Sequence, residues 1–227
     1  MYFYMNWFVS IGKGLLLGGS ITLLSLYLDV SFCKETFIKF CNENCNKYIK
    51  AIEAVQRNMM IISPLAYGVI DQTLIDHSSI VIQYNNIISI LGIHSVGYYI
   101  VHSAMHKING LYNIHKFHHE YDKVLLPSIG NAVSSTEFIT AYLMPFIIAA
   151  YYLRPNELSF IIPIGIIGLL NIAIHCKELE QLPWFPFLVS PKNHIEHHEV
   201  RTKHYAAPTI NWDYLLSFLY RNKSHNS

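Results

Sequence analysis

The chain has 227 residues, which is enough for one domain with a sizeable core. Hydrophobic residues make up 52% of the chain and charged residues only 14%, whereas an average soluble domain has about 25% charged residues. Together with a mean hydropathy of +0.27 this favours a membrane protein, although a soluble protein with a large core can reach the same values. The net charge of +1 gives no basic excess, so the composition argues against a nucleic-acid partner.

The first apolar segment, residues 14–28, is shorter than the ~20 residues that a perpendicular transmembrane helix needs. Extending it to residue 7 places Lys13 inside, and no A-x-A-like cleavage site follows, so we predict a signal anchor or first span. Residues 29–58 carry five Lys/Arg and four acids, which favours a pair of amphipathic helices. We therefore divide the chain into an N-terminal region (residues 1–58) and a main membrane domain (residues 59–227).

Four further apolar runs follow, and they form two pairs. Residues 59–70 and 80–101 flank a connection without Lys or Arg, and Pro64 marks a possible kink in the first of these runs. Residues 138–153 and 158–174 flank the four-residue joint RPNE. Because strands rarely exceed about ten residues, the lengths predict two helical hairpins, which with the first segment give four to five membrane-embedded helices.

The positive charges predict the orientation of these helices. Five cations lie in residues 29–58, Lys107, Lys116 and Lys123 lie in residues 102–128, and five more lie from residue 192 onward. The positive-inside rule puts these three segments in the cytosol. We predict an all-α integral membrane bundle with a cytosolic histidine-rich cap, in the endoplasmic reticulum or an equivalent internal membrane.

The four cysteines, Cys33, Cys41, Cys45 and Cys176, include no CxxC pair, so we interpret them as free thiols in a reducing compartment.

Most of the thirteen histidines fall into three short motifs, each just beyond an apolar hairpin. Helical spacing places the histidines of HxxxH side by side and predicts three converging imidazoles for HxxHH. Asn109–Gly110 is a good helix stop, so the chain can turn between the first two motifs and aim one at the other. The motifs are HSAMH (His102, His106), HKFHH (His115, His118, His119) and HIEHH (His194, His197, His198).

Eight clustered imidazoles are too many for one tetrahedral zinc, which takes four ligands, so the pattern predicts two metal ions. Imidazole binds Zn, Cu, Fe and Ni, and the ligand type alone leaves the metal open. Iron is favoured because two redox metals can activate dioxygen and zinc cannot. Isolated histidines such as His77 and His225 lack ligand spacing and are interpreted as packed or surface residues.

The order HxxxH, HxxHH and HxxHH, with a hairpin between the second and third motifs, resembles the fatty-acid hydroxylase / sterol desaturase superfamily of histidine-box di-iron oxygenases. The stretch HSAMHKINGLYNIHKFHHEYDKVLLP is similar to that family's first two boxes, and the similarity covers residues 93–218. In this resemblance Glu137 matches an acidic residue that follows the second box, and Trp212–Asp213 matches the family's closing Trp-Asp pair. The resemblance also implies that iron is bound, and the reaction catalysed, at His102, His106, His115, His118, His119, His194, His197 and His198, with His175 as a ninth ligand.

The sequence departs from the family pattern at several flanking positions. Ser134–Ser135 replaces a frequent His-Pro, Cys176–Lys177 replaces Ser-Gly, and the final Phe-Gly-Thr is absent. His204–Tyr205 stands where an Asn-Tyr/Phe pair is usual, and His204 is an extra ligand, a hydrogen-bond donor or a surface residue. These changes put the substrate in doubt. Candidates for orienting the ligand rings are Glu120, Asp122, Glu137, Glu196 and Glu199.

The resemblance implies an oxidoreductase that uses O2 and two external electrons to hydroxylate or desaturate a sterol or fatty acyl lipid, as in lipid or sterol biosynthesis. No haem or flavin fingerprint is visible, so electrons would come from a separate donor such as cytochrome b5 and its reductase. Sterol C-5 desaturase, sterol C-4 methyl oxidase, fatty-acid hydroxylase and carotenoid hydroxylase activities all remain open. The alternatives are a non-catalytic membrane metal-binding or transport protein, and an inactive relative.

Overall fold

The structure, a computed structural model, describes residues 2–122 and 124–224, so Lys123 and His225 lie outside the described residues. In the described part all regular structure is helical, and the only β pairing consists of two isolated bridges. The α-helices are α1 (Tyr2–Val30), α2 (Lys34–Gln56), α3 (Ser63–Thr73), α4 (Tyr84–Lys107), α5 (Tyr112–His115), α6 (Ser135–Glu137), α7 (Met144–Leu153), α8 (Glu157–Ile174), α9 (Pro191–Val200) and α10 (Trp212–Ser224). Shorter 3₁₀ and π segments occur between them: His118–Tyr121, Pro127–Asn131 and Lys177–Leu179 are 3₁₀, and Arg57–Ile62 and Phe138–Leu143 are π.

Four helical segments in the described residues are long and apolar enough to cross a membrane. Large apolar side chains point outward from them, such as Leu16 on α1, Ile88 on α4 and Tyr152 on α7. Apolar surface of this kind needs lipid rather than water around it. The chain is therefore a membrane-embedded helical bundle, as the sequence predicts. The spans are Asn6–Val30, Tyr84–Lys107, Ser135–Leu153 and Glu157–Ile174.

The first span packs tightly against α3 and the π segment before it. A Cβ on Gly14 would lie 2.7 Å from Pro64 Cα, and one on Gly18 would lie 2.2 Å from the Met59 carbonyl oxygen. The two backbones can approach this closely only because these positions lack side chains. Since later residues of α1 meet earlier residues of the partner, the two helices run antiparallel.

The charge of Lys13 within the first span is compensated. Its Nζ lies 2.6 Å from Glu157 Oε1 and 3.9 Å from Asp71 Oδ2, on helices that pack beside α1. A paired charge is tolerated in a membrane bundle far better than an isolated one. The span can therefore extend over Asn6–Val30, beyond the apolar run of residues 14–28.

The two hairpin connections meet at one end of the bundle. The Asp76 backbone N–H donates to the Pro155 carbonyl at 2.9 Å, and Arg154 Nη1 donates to the Thr73 carbonyl at 2.5 Å. Asn156 caps α8 by accepting a hydrogen bond from the Ser159 N–H at 2.9 Å. Because both connections lie at this end, the histidine motifs all lie at the other.

Each π segment ends two residues before a proline, which is Pro64 in the first case and Pro145 in the second. Proline lacks the N–H that an α-helix needs at that position, and a wider turn accommodates the missing hydrogen bond. The predicted disturbance at Pro64 thus takes the form of a π segment.

The amphipathic region predicted for residues 29–58 is helical and breaks in the middle. Asn44 has φ −162° and ψ 73° and divides α2 into two helical pieces, as the predicted pair requires. This region contacts the rest of the chain: Cys33 Sγ lies 3.2 Å from Cys176 Sγ, and both thiols are buried and free. The division at residue 58 into two domains stays a prediction.

Candidate metal centre

The histidine end of the bundle brings together all nine histidines that the sequence singles out. They form two groups, and in each group the candidate ligand atoms lie within 4.8 Å of one another. Eight of the nine are buried and His106 is half-buried. The five-histidine group is His102, His106, His115, His119 and His197; the four-histidine group is His118, His175, His194 and His198.

The ring nitrogens converge at distances that suit metal ligands. In the five-histidine group, Nε2 of His102 lies 2.9 Å from Nε2 of His115. In the four-histidine group, Nε2 of His194 lies 2.9 Å from Nε2 of His175 and 3.2 Å from Nε2 of His198. A metal about 2.1 Å from each nitrogen would hold such atoms about 3 to 3.5 Å apart. The spacing of the nitrogens therefore fits a metal ion in each group.

The two groups adjoin. The rings of His119 and His198, which belong to different groups, have centroids 4.7 Å apart. Those of His115 and His118 are 5.4 Å apart. Two metal ions held by these groups would be neighbours, as a two-metal centre requires.

Backbone carbonyls hold several of the rings in one tautomer. Nδ1 of His102 donates to the Tyr205 carbonyl, and Nδ1 of His197 donates to that of Lys203, both at 2.7 Å. Nδ1 of His175 likewise donates to the Asn171 carbonyl at 2.7 Å. With the proton fixed on Nδ1, the lone pair stays on Nε2, which is the arrangement expected of metal-ligating histidines.

One carboxylate also orients a histidine ring by accepting a hydrogen bond from its Nδ1. Glu137, wholly buried, accepts a hydrogen bond from Nδ1 of His115 at 2.6 Å. Ser134 caps the start of α6 and holds Glu137 by accepting its N–H at 3.1 Å. Of the five acids proposed from the sequence, Glu137 therefore orients a histidine of the centre.

The other four acids do not contact the nine histidines. Asp122 pairs with Arg201 at 2.8 Å, and Glu120 and Glu199 are exposed. Glu196 accepts from His204 Nε2 at 3.0 Å. His204 consequently lies outside both groups, as a partner of Glu196 rather than an additional ligand.

Burial keeps five of the imidazoles neutral. It lowers the pKa of His175 to about 4 and that of His197 to about 3. Burial, followed by the repulsion of neighbouring imidazoles, lowers the pKa of His118, His194 and His198 well below the usual value. At neutral pH these rings therefore offer lone pairs, the form that binds metal.

The two HxxHH motifs do not act as the three-way convergence predicted from spacing. His115 and His119 belong to the five-histidine group, whereas His118 between them turns to the other group. On α9, His197 separates in the same way from His194 and His198. Each motif bridges the two groups, and this explains why the groups adjoin.

A largely apolar cavity runs along the inside of the bundle toward the centre. Its lining on α8 extends from Phe160 to Asn171, which are eleven residues or about 16 Å of helix apart. At the histidine end it is lined by Tyr98, whose ring lies 5.2 Å from that of His102, and by Asn171, which holds His175. A long apolar ligand in this cavity would thus end within one side chain of the histidines.

Sequence analysis missed some residues that shape this region. Gly130 permits the close approach of His175, because a Cβ there would lie 2.9 Å from His175 Nδ1. His94 lines the cavity. The signal that could have found His94 is the four-residue spacing of His94, Tyr98 and His102, which places them on one face of α4.

A family model described as fatty acid hydroxylase matches residues 87–217, more than half of the chain. The chain belongs to the fatty acid hydroxylase family. This agrees with the superfamily resemblance found in the sequence and implies lipid oxidation of the hydroxylase type, with histidine groups that fit a metal site. No curated protein and no solved structure matches the chain.

Proposed function

We propose that this member of the fatty acid hydroxylase family is a di-iron oxygenase that oxidises a C–H bond of a membrane lipid with O2. The observation that carries the proposal is the pair of adjoining histidine groups at the end of an apolar cavity in a membrane bundle. The product is an alcohol or a double bond in a sterol or fatty acyl lipid.

Two iron ions would be held by the nine histidines, five around one and four around the other. When bound, iron supplies the activation of dioxygen, which side chains alone cannot provide. The protein itself orients the ligands and positions the lipid. The carbonyls and Glu137 fix the rings, and the cavity holds the lipid with one carbon at the centre and excludes water from it.

Electrons would enter from outside the chain, because the sequence contains no haem or flavin fingerprint. A separate donor such as cytochrome b5 with its reductase suits a centre that faces the cytosol. His106, the half-buried member of the nine, lies at the edge of the centre where a donor could approach. The endoplasmic reticulum is the proposed location.

A metal transporter would be expected to line a path across the bundle with its ligands. The nine histidines instead lie together at one end, with an apolar cavity rather than a polar path below them. This arrangement supports oxidation over transport. An inactive relative that keeps the metals would give the same metal content without turnover.

The proposal is tested by metal analysis of the detergent-purified chain. We expect about two iron atoms per chain, and loss of both when His118→Ala and His119→Ala are combined, since one histidine of each group is removed. The matched control combines His77→Ala with His204→Ala, two histidines outside both groups, and should keep its iron. A wild-type protein without bound metal would overturn the proposal.

A measurement of lipid turnover distinguishes a hydroxylase, a desaturase and an inactive relative. Membranes that contain the protein and a donor are incubated with ¹⁸O2, and their lipids are analysed by mass spectrometry. An alcohol that carries ¹⁸O identifies a hydroxylase, and a new double bond without ¹⁸O identifies a desaturase. An iron-loaded protein that oxidises no lipid would be the inactive relative.

A further inference from the structure

His94 is an ionisable side chain in the middle of a membrane span. It lies ten residues after the start of α4 at Tyr84 and is 1% exposed. Neither of its ring nitrogens makes a hydrogen bond with the described residues. More than about 90% of buried polar groups have a partner, and ionisable residues within membrane helices usually serve a function. The ring of His94 therefore needs a hydrogen-bond partner that is not part of the chain.

The ring of His94 faces the cavity that leads toward the metal centre. Phe146 and Tyr98 flank the imidazole, with ring centroids 4.4 Å and 6.3 Å away. These two residues and His94 all line the cavity. A molecule that fills the cavity must therefore contact the imidazole.

The chemistry of the ring restricts what this molecule can offer. A neutral imidazole has one N–H and one lone pair, whichever of its two tautomers it adopts. That lone pair needs a donor. A hydroxyl donates, whereas a ketone, an ester carbonyl or a hydrocarbon does not, and a cationic donor would be costly to bury here.

We propose that His94 accepts a hydrogen bond from an alcohol group of the substrate, so that the substrate is a hydroxylated lipid. This rests on the proposed function, since it assigns a substrate class to the cavity of that same site. His94 precedes His102 by eight residues, about 12 Å along α4, and the alcohol therefore lies about that far from the oxidised carbon. The alcohol of a sterol and that of a hydroxyacyl chain are the two sources of this chemistry.

The test measures equilibrium binding to the iron-loaded full chain in nanodiscs, without an electron donor, so that no turnover occurs. Two matched pairs of probes are used: cholesterol against cholestene, and a mid-chain hydroxy fatty acid against stearic acid. We expect the alcohol of at least one pair to bind about three- to ten-fold more tightly than its deoxy partner. The pair that shows the preference identifies the source of the alcohol.

Variants then assign the preference to His94. His94→Phe should abolish it and change binding of the deoxy lipid by less than about two-fold, whereas His94→Gln should retain part of it because an amide oxygen still accepts. His77→Phe, the same change at a half-exposed histidine outside the cavity, should leave it intact. No alcohol preference in wild-type protein, as expected if a buried water serves His94, would overturn the proposal, and so would a preference that persists in His94→Phe.

The outcome is separable from that of the oxygenase proposal. Iron content and ¹⁸O incorporation test the oxygenase, and the alcohol preference is measured by binding alone. A protein that takes up iron and oxidises lipids without regard to a hydroxyl would refute the role of His94 and leave the oxygenase standing. A metal-free chain that still prefers alcohols would do the reverse.

Discussion

Glu137 is, among the described residues, the one carboxylate that hydrogen-bonds a histidine of the two groups. It lies 22 residues after His115 in sequence and is fully buried beside it. A buried carboxylate that accepts from Nδ1 makes the opposite nitrogen more basic and fixes the plane of the ring. Its negative charge would also offset part of the charge of the two metal ions proposed for this site.

We expect Glu137→Ala to weaken metal binding in the five-histidine group by about 10- to 100-fold, because His115 loses the partner that orients it. Glu137→Gln should have a smaller effect, since its amide oxygen can still accept. The measurement is a metal titration of the purified chain. Glu199→Ala, which removes an exposed acid beside His198 on α9, is the control and should bind metal as wild type does. Undiminished affinity in Glu137→Ala would show that His115 does not need this carboxylate.

At the scale of the elements, the short helix α9 shows how one segment contributes to both histidine groups. His194 and His198 are one turn apart and share a face, and His197 projects to the neighbouring group. Ser190 starts the helix by accepting the Asn193 N–H at 3.1 Å, which fixes where these faces begin. The spacing of the motif thus determines both faces, and the position of the helix decides which histidine group each face joins.

The close packing of α1 on the π segment gives an element-scale prediction. Gly18→Ala should destabilise the folded bundle by about 1–3 kcal/mol, because its Cβ would lie 2.2 Å from the Met59 carbonyl oxygen, a backbone atom that cannot move aside. The measurement is unfolding in detergent. Gly12→Ala, in the same helix with no atom within 4 Å of the added Cβ, should be neutral or slightly stabilising. Equal stability of the two variants would contradict this view of the interface.

For the whole molecule, the two ends of the bundle differ in chemistry. One end holds the nine histidines and most cationic segments, and the other holds the two hairpin connections joined through Asp76 and Asn156. The positive-inside rule predicts that the histidine end faces the cytosol.

This orientation can be tested with a membrane-impermeant thiol reagent applied to the cytosolic side of sealed vesicles. We expect the native exposed Cys45 on α2 to be labelled, and a cysteine introduced by Ser78→Cys in the far connection to be labelled only after the vesicles are opened. A background with Cys41→Ser and Cys45→Ser isolates the introduced thiol, because the other two cysteines are buried. Labelling of Ser78→Cys in sealed vesicles would show that the orientation is the reverse of the predicted one and that the histidines do not face the cytosol.

The sequence alone determined the helical membrane architecture and the eight motif histidines that come together, and the family resemblance added His175. Both depend on local information: the lengths of the apolar runs, the four-residue joint at residues 154–157, and the helical spacing within each motif. The hairpin between the second and third motifs was enough to predict that they meet on one side, because a hairpin returns the chain to the side from which it left.

Only the tertiary structure decided how the histidines divide into groups of five and four. It also decided which carbonyl oxygens and which carboxylate orient their rings. His102 is oriented by the carbonyl of Tyr205, 103 residues away, and His118 joins His175 across 57 residues. A backbone carbonyl has no side-chain signature in the sequence, so such partners cannot be predicted from residue types. The unpartnered ring of His94 likewise becomes visible only when the helices that enclose it are in place, since burial is a property of the packed bundle.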